Sequence, residues 1–248
     1  MKTSVLAVFL ALSLLGSTDF RAFGADAKPK YGPLATRLTR THEYFKKHEG
    51  PDYWALSPYY VPQQTESACS IASVTMIMNA IRASKDLGSE EPLLTQQSLL
   101  DLTKSELWQK AAGTHGTGVN LDQLGRLVET SLKALGYPGA QVVVVHAEKP
   151  SPTSLAALRK VLIENEKSTQ DFIILNFNQG SYTGDADAGH IAPLAAYDAE
   201  HKRALVLDPD RKWYEPYWVS DETLLSGMAT LDSGASKNRG YIWIKLAK

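Results

Sequence analysis

Residues 63–84 read QQTESACSIASVTMIMNAIRAS and hold the only cysteine of the 248-residue chain, Cys69. Ile71, Val74, Met78 and Ile81 recur at three- and four-residue spacing, which predicts a helix with one buried face. Thr65, Glu66 and Ser67 offer cap and first-turn residues just before it. Cys69 then falls in the first turn, where free backbone N–H groups and the positive end of the helix dipole favour a thiolate. A thiolate attacks carbonyl carbon. The competing reading is a small buried hydrophobe, because free cysteines are commonly core residues.

Upstream, residues 1–24 read as a secretory signal peptide: Lys2 is the charged start, Val5 to Leu15 the apolar stretch, and Ala22-Phe23-Gly24 the small residues for cleavage. The apolar part is too short to span a bilayer. Export to the periplasm is the expectation, with 25–33 a linker, 34–248 the working domain, and no stable membrane association after cleavage. One cysteine cannot form an internal disulfide, so a lone thiol in an oxidising compartment asks for a reason, and reactivity is one. The formal net charge is −1 and there is no basic stripe, which argues against nucleic acid as a partner.

Leu34 to His48 reads as a helix with Leu34, Leu38, Tyr44 and Phe45 inward, and the proline- and aromatic-rich 50–62 as an extended segment. Thr95 to Leu107 and Leu121 to Leu135 read as helices, the second capped by Asn120, with the flexible loop GTHGTG (113–118) between them. From Gln141 the character changes. QVVVVH, Phe172 to Phe177, His190 to Tyr197, Arg203 to Leu207, Tyr214 to Val219 and Gly240 to Leu246 read as strands, with helices at Ser154 to Asn165 and Asp221 to Thr230. Helices first and strands later argue an α+β fold: a helical lobe, an antiparallel sheet lobe and a cleft between them.

A cysteine nucleophile needs a base, an orienting group for the base, and donors for the oxyanion. His190, after a glycine-containing loop at the mouth of a strand, is the candidate base; the other histidines read as solvated or structural. Asp208 closes the strand ALVLD before Pro209. If 191–197 and 203–207 pair across the turn between them, paired numbers sum to about 400, and His190 meets Asp208 to within about a residue. An Asp beside a His at a sheet end suits a triad, whereas a turn carboxylate before proline is the bland alternative. The oxyanion donor would be Gln63, or Gln64, with the Cys69 backbone N–H.

The stretches QQTESACSIASVTMIMNAI, GVNLDQL from Gly118 and the continuous run from Gly189 to Tyr241 resemble the phytochelatin synthase family, a member of the papain-like cysteine peptidase superfamily. The resemblance covers roughly Leu34 to the C-terminus. It implies a papain-like fold, with Cys69 as nucleophile acylated by the γ-glutamylcysteinyl part of glutathione, His190 as base then acid, and Asp208 as orienter. It also implies that Asp232 and Arg239 hold the γ-glutamyl end, with Arg211 and Tyr214 near the cleft. No cofactor is implied as required; cadmium or zinc would act through a metal–thiolate substrate. The partner implied is a small thiol peptide, and a homodimer is carried as an expectation. Ala68 and Ser70 depart from the family pattern beside the nucleophile. The extra cysteines and C-terminal metal-responsive domain of eukaryotic members are not in this sequence, which points to the bacterial single-domain kind.

Two other readings stay open. A bacteriocin-processing peptidase also has a glutamine, a cysteine opening a helix, a histidine strand and an Asp-Pro, although the Arg239-Gly240-Tyr241 ending favours the first resemblance. A non-catalytic periplasmic thiol or metal-binding protein could use Asp185, Asp187, His190 and Cys69.

Overall fold

The computed structural model describes residues 30–185 and 187–247, so the leader expected at 1–24 and most of the linker lie outside the described residues. The chain runs through β1 (Ala35–Arg37), α1 (Tyr44–Lys47), α2 (Pro51–Leu56), α3 (Cys69–Arg82), α4 (Gln96–Thr103), α5 (Glu106–Ala112) and α6 (Leu121–Ala134). It continues as β2 (Gln141–His146), α7 (Pro152–Asn165), β3 (Asp171–Asn178), α8 (Gln179–Thr183), β4 (Gly189–Asp198), β5 (Arg203–Val206) and β6 (Tyr217–Ser220). Then come α9 (Asp221–Met228), β7 (Leu231–Asp232), β8 (Lys237–Asn238) and β9 (Gly240–Lys245). The fold is mixed α+β, built on one seven-stranded sheet in the order β1-β6-β5-β4-β3-β9-β2, every neighbouring pair antiparallel.

Helices cover both faces of this sheet. Ile174, Ile191, Leu205, Trp218 and Ile242 face a core shared with α3 and α6, while Ile173, Leu175, Ala192, Val206 and Tyr217 face a second core shared with α7 and α9. Strands buried on both faces read as unbroken apolar runs, which is why FIILNF and IAPLAAY carry so little polar alternation. β4 is the hinge of the sheet. Its first half pairs with β3 and its second half with β5, the register shifting between Leu194 and Ala196. Pro193 is tolerated in a central strand at this change of partner, its carbonyl accepting from the Leu207 N–H at 3.1 Å.

The N-terminal expectations are corrected. Residues 34–48 are not one helix: β1 joins the edge of the sheet, Leu34 is exposed, and only Tyr44–Lys47 is α-helical. Nor is 50–62 extended. Gly50 takes a left-handed φ of 56° and Pro51 starts α2 at its first position, where a missing N–H costs nothing. A Cβ on Gly50 would also lie 2.5 Å from the Phe45 ring. The helix expected at 95–107 breaks at Lys104, which has a φ of 49°, into α4 and α5.

Helix α3 lies where expected but is not amphipathic: every residue from Cys69 to Ile81 is buried. It packs against β4 on one side and against α2, α4, α5 and α6 on others. Three of its polar residues find partners within the protein, whereas Thr75 Oγ1 has none among the described residues. Ser70 Oγ accepts from Trp108 Nε1 at 2.9 Å, Ser73 Oγ donates to the Ile191 carbonyl at 3.1 Å, and the Asn79 amide bonds both backbone groups of Leu94. Among the described residues no helix is long and apolar enough to cross a membrane.

Candidate active site

Three elements meet at one end of the sheet: the start of α3, the start of β4 and the end of β5. Cys69 is the first residue of α3, preceded by Ala68, and no side chain caps the helix. The expected cap residues do other work. Thr65 donates to the Ala112 carbonyl, and the Ser67 hydroxyl bonds the Gly116 carbonyl, tying the helix start to the glycine loop. The first N–H groups of α3 are therefore left without a side-chain acceptor. The bond from Ser73 to Ile191 then pins α3, one turn after Cys69, to the residue after His190.

His190 Nε2 donates to Asp208 Oδ1 at 2.7 Å. Asp208 is fully buried and accepts three more hydrogen bonds, from the Asp210 N–H at 2.9 Å, Tyr217 Oη at 2.9 Å and Gln179 Nε2 at 3.3 Å. Burial alone would raise its carboxyl pKa, but His190 and these donors outweigh it and hold it below the usual range. For His190 burial disfavours the charged ring, yet the charge and hydrogen bond of Asp208, with Cys69 as a further hydrogen-bonding neighbour, hold it well above the usual histidine range. With Nε2 committed to Asp208, Nδ1 is the ring nitrogen left for the thiol.

Cys69 and His190 both line a cavity of about 710 Å³. Asp232 and Arg239 line it too. Asp232 sits on the β7–β8 hairpin. Arg239 is braced by Thr230 Oγ1 at 3.1 Å and the Leu231 carbonyl at 2.7 Å. Arg211 and Tyr214 are not brought to this cavity. Arg211 lies over the Tyr60 ring, 4.3 Å from its centroid, and Tyr214 borders a second hollow beyond His190, where its hydroxyl donates to Asp185 at 2.9 Å. Gln63 lines that second hollow with His190, its N–H donating to the Pro209 carbonyl at 2.8 Å. Gln64 is exposed and lines neither space.

Several wall residues escape sequence reasoning. The 114–118 loop forms one side of the cavity with Lys110, and His115, read above as solvated or structural, is part of it. The signal was its glycines: a Cβ on Gly116 would lie 2.1 Å from the Ala111 carbonyl oxygen, so the loop packs tightly onto α5. Asn176 also lines the cavity, buried and with no partner for Oδ1, and it is the one polar residue within FIILNF.

The family model described as phytochelatin synthase matches residues 37–241. The chain belongs to the phytochelatin synthase family. It is 24% identical over 204 residues to glutathione gamma-glutamylcysteinyltransferase 1 of Arabidopsis thaliana, covering 82% of this chain and 39% of that protein. Against the enzyme of the same name from Lotus japonicus it is 27% identical, covering 77% and 35%. Against glutathione gamma-glutamylcysteinyltransferase of Schizosaccharomyces pombe it is 20% identical, covering 78% and 43%. The chain thus spans about two fifths of the length of these relatives.

Within this phytochelatin synthase fold, the departure at Ser70 has a structural use, since its hydroxyl receives the buried Trp108 indole N–H. Asp185, Asp187, His190 and Cys69, the set offered above for a metal, do not gather into one cluster. Asp185 accepts from Tyr214 and Asp187 from Asn178, and among the described residues no group of three or more histidine, cysteine or acidic side chains could hold a metal ion.

Proposed function

We propose that the chain is a papain-like cysteine acyltransferase or peptidase acting on glutathione or a related γ-glutamyl thiol peptide, releasing glycine through an acyl-enzyme on Cys69. The observation that carries this reading is the 2.7 Å bond from His190 Nε2 to fully buried Asp208, at the edge of the cavity that Cys69 lines. It fixes one ring nitrogen and leaves the other for the thiol, the arrangement a thiol nucleophile needs.

In this proposal Cys69 Sγ attacks the carbonyl carbon of the Cys–Gly amide and its proton passes to His190 Nδ1. The oxyanion takes the uncapped Cys69 N–H and the side-chain amide of Gln63. Collapse breaks the C–N bond, and His190 gives its proton to the departing glycine nitrogen. Water, deprotonated by His190, then attacks the thioester and returns the thiol; the amine of a second thiol peptide in place of water gives the transfer product. Asp208 acts on His190 rather than on substrate. Arg239 clamps a substrate carboxylate and Asp232 takes the ammonium of the γ-glutamyl end. No resident cofactor takes part in these steps, and cadmium or zinc would enter as the thiolate complex of the substrate. A leader at 1–24, with its apolar run Val5 to Leu15, would place the protein in the periplasm.

Intact-protein mass spectrometry after exposure to glutathione tests the reading. A γ-glutamylcysteinyl adduct on Cys69, and no glycine release from Cys69→Ala, are expected. A Cys69→Ala protein that releases glycine at the wild-type rate ends the proposal.

A further inference from the structure

We infer that the hollow beyond His190 is the subsite for the leaving group, and that it selects a capped or cationic C-terminus over a free carboxylate. This rests on the acyl-enzyme reading above. The hollow, about 310 Å³, shares Gly189 and His190 with the main cavity but not Cys69. His190 lines both spaces, so a leaving group that takes its proton can extend from the Cys69 cavity into this one.

The lining is rich in acceptors. Glu66, Asp185 and Asp210 contribute carboxylates, and among the described residues none of the three forms an ion pair. Among the described residues no lysine or arginine lines the hollow; Lys30 and Lys212 lie over the ring of Trp213, 5.2 and 5.3 Å from its centroid, and Lys30 also 5.9 Å from that of Tyr214, without lining it. Gln179 supplies the second, independent observation. It is only 4% exposed, its Nε2 is committed to Asp208, and its Oε1 has no partner. Gln63 Oε1 is likewise without a partner. A buried amide oxygen without a donor is costly unless a ligand supplies one. Burial, the neighbouring Asp208 and, more weakly, Glu66 also hold the Asp210 carboxyl above its ordinary range against the opposing pull of His190 and Lys212, and a bound cation would offset the repulsion among the carboxylates.

The main cavity has the opposite balance, with Lys110 and Arg239 against Asp232. A peptide bound across His190 therefore places its zwitterionic γ-glutamyl end beside Lys110, Arg239 and Asp232 and its other end among carboxylates. Free glycine brings its own carboxylate into that second region. An amide cap removes the repulsion, and an amine-bearing cap adds N–H donors for the carboxylates and the two amide oxygens. The substrate class assigned is a γ-glutamylcysteinylglycine peptide capped at its C-terminus by an amide or an amine-bearing chain.

The test compares glutathione, its C-terminal amide, and glutathione joined through its glycine carboxyl to diaminobutane. The readout is formation of γ-glutamylcysteine, common to all three. The cationic substrate is expected to exceed glutathione in kcat/KM by at least about tenfold, the neutral amide lying between. Glu66→Gln, at an exposed position, and the double variant Glu66→Gln/Asp210→Asn should bring the ratio toward parity; Asp210→Asn keeps the backbone N–H that bonds Asp208. Equal values for the three substrates, a preference for the free carboxylate, or a preference that survives the double variant unchanged would overturn the assignment. Cleavage of glutathione without discrimination overturns the subsite alone. No γ-glutamylcysteine from any of the three overturns the acyl-enzyme reading and the subsite with it.

Discussion

Replacing Asp208 by Asn changes one charge and almost no volume. In the native protein its carboxylate accepts from His190 at 2.7 Å, the Asp210 N–H and Tyr217 at 2.9 Å, and Gln179 at 3.3 Å. An amide offers one acceptor oxygen. If it stays toward His190, the amide NH₂ faces the donors Tyr217 and Gln179. If it turns away, the NH₂ meets Nε2, which must become an acceptor, so that Nδ1 carries the proton and cannot take one from Cys69. Either way the charge-assisted bond to His190 is weakened or lost. Such bonds are worth about 1.5–3 kcal/mol, so kcat should fall about 10- to 150-fold if only that term is lost. Because Asp208 does not line the cavity, KM for glutathione should stay within about twofold. The substitution also removes the charge that raises the His190 pKa, so the limb of kcat against pH that reports His190 should move to lower pH. The assay is glycine release at varied glutathione and pH, with thermal melting to confirm folding. A raised KM at unchanged kcat, or an unmoved pH profile, would refute the assignment of Asp208 as a positioning residue.

Ser73→Ala removes the bond that joins α3 to Ile191; it should cost about 1 kcal/mol, or about 2–4 °C in Tm, and lower kcat more than it raises KM. Arg239→Lys loses the forked guanidinium, and KM for glutathione should rise about tenfold with kcat nearly unchanged; an unchanged KM would remove Arg239 from substrate binding. Asp52 is buried with no hydrogen-bond partner for either oxygen, and burial, with Glu166 and Asp171 nearby, holds its carboxyl well above the ordinary range. The unfolded chain ionises it in the ordinary aspartate range and the folded chain only at higher pH, so this stability is full at low pH and lost as pH rises between the two. Asp52→Asn should therefore melt higher than wild type at about pH 8, with the gap narrowing toward about pH 4.

The strands from Gln141 onward are legible in the sequence because each is a short β-branched or apolar run between turn residues, and hairpin register follows from loop length. That local arithmetic brings His190 to Asp208, since β4 and β5 are joined by a tight turn. The position of α3 is equally legible. Its burial on every side is not, because the apolar period of three and four cannot report that Ser70, Ser73 and Asn79 find partners on Trp108, Ile191 and Leu94. The start of α2 is missed because proline is read as a breaker, whereas after a left-handed glycine it opens a helix.

The sequence by itself determined the chemistry on offer: one thiol at a helix start, one imidazole at a strand mouth, one carboxylate at the end of the next strand. Tertiary structure alone decided which of the remaining residues share that space. Asp232, Arg239, Lys110, Asn176 and the glycine loop close around the Cys69 cavity, while Tyr214, Gln63 and Gln179 fall to the hollow beyond His190 and Arg211 to neither. Periodicity and turn geometry act over a few residues, but these neighbours come from segments far apart along the chain, brought together by burying the two apolar faces of one sheet.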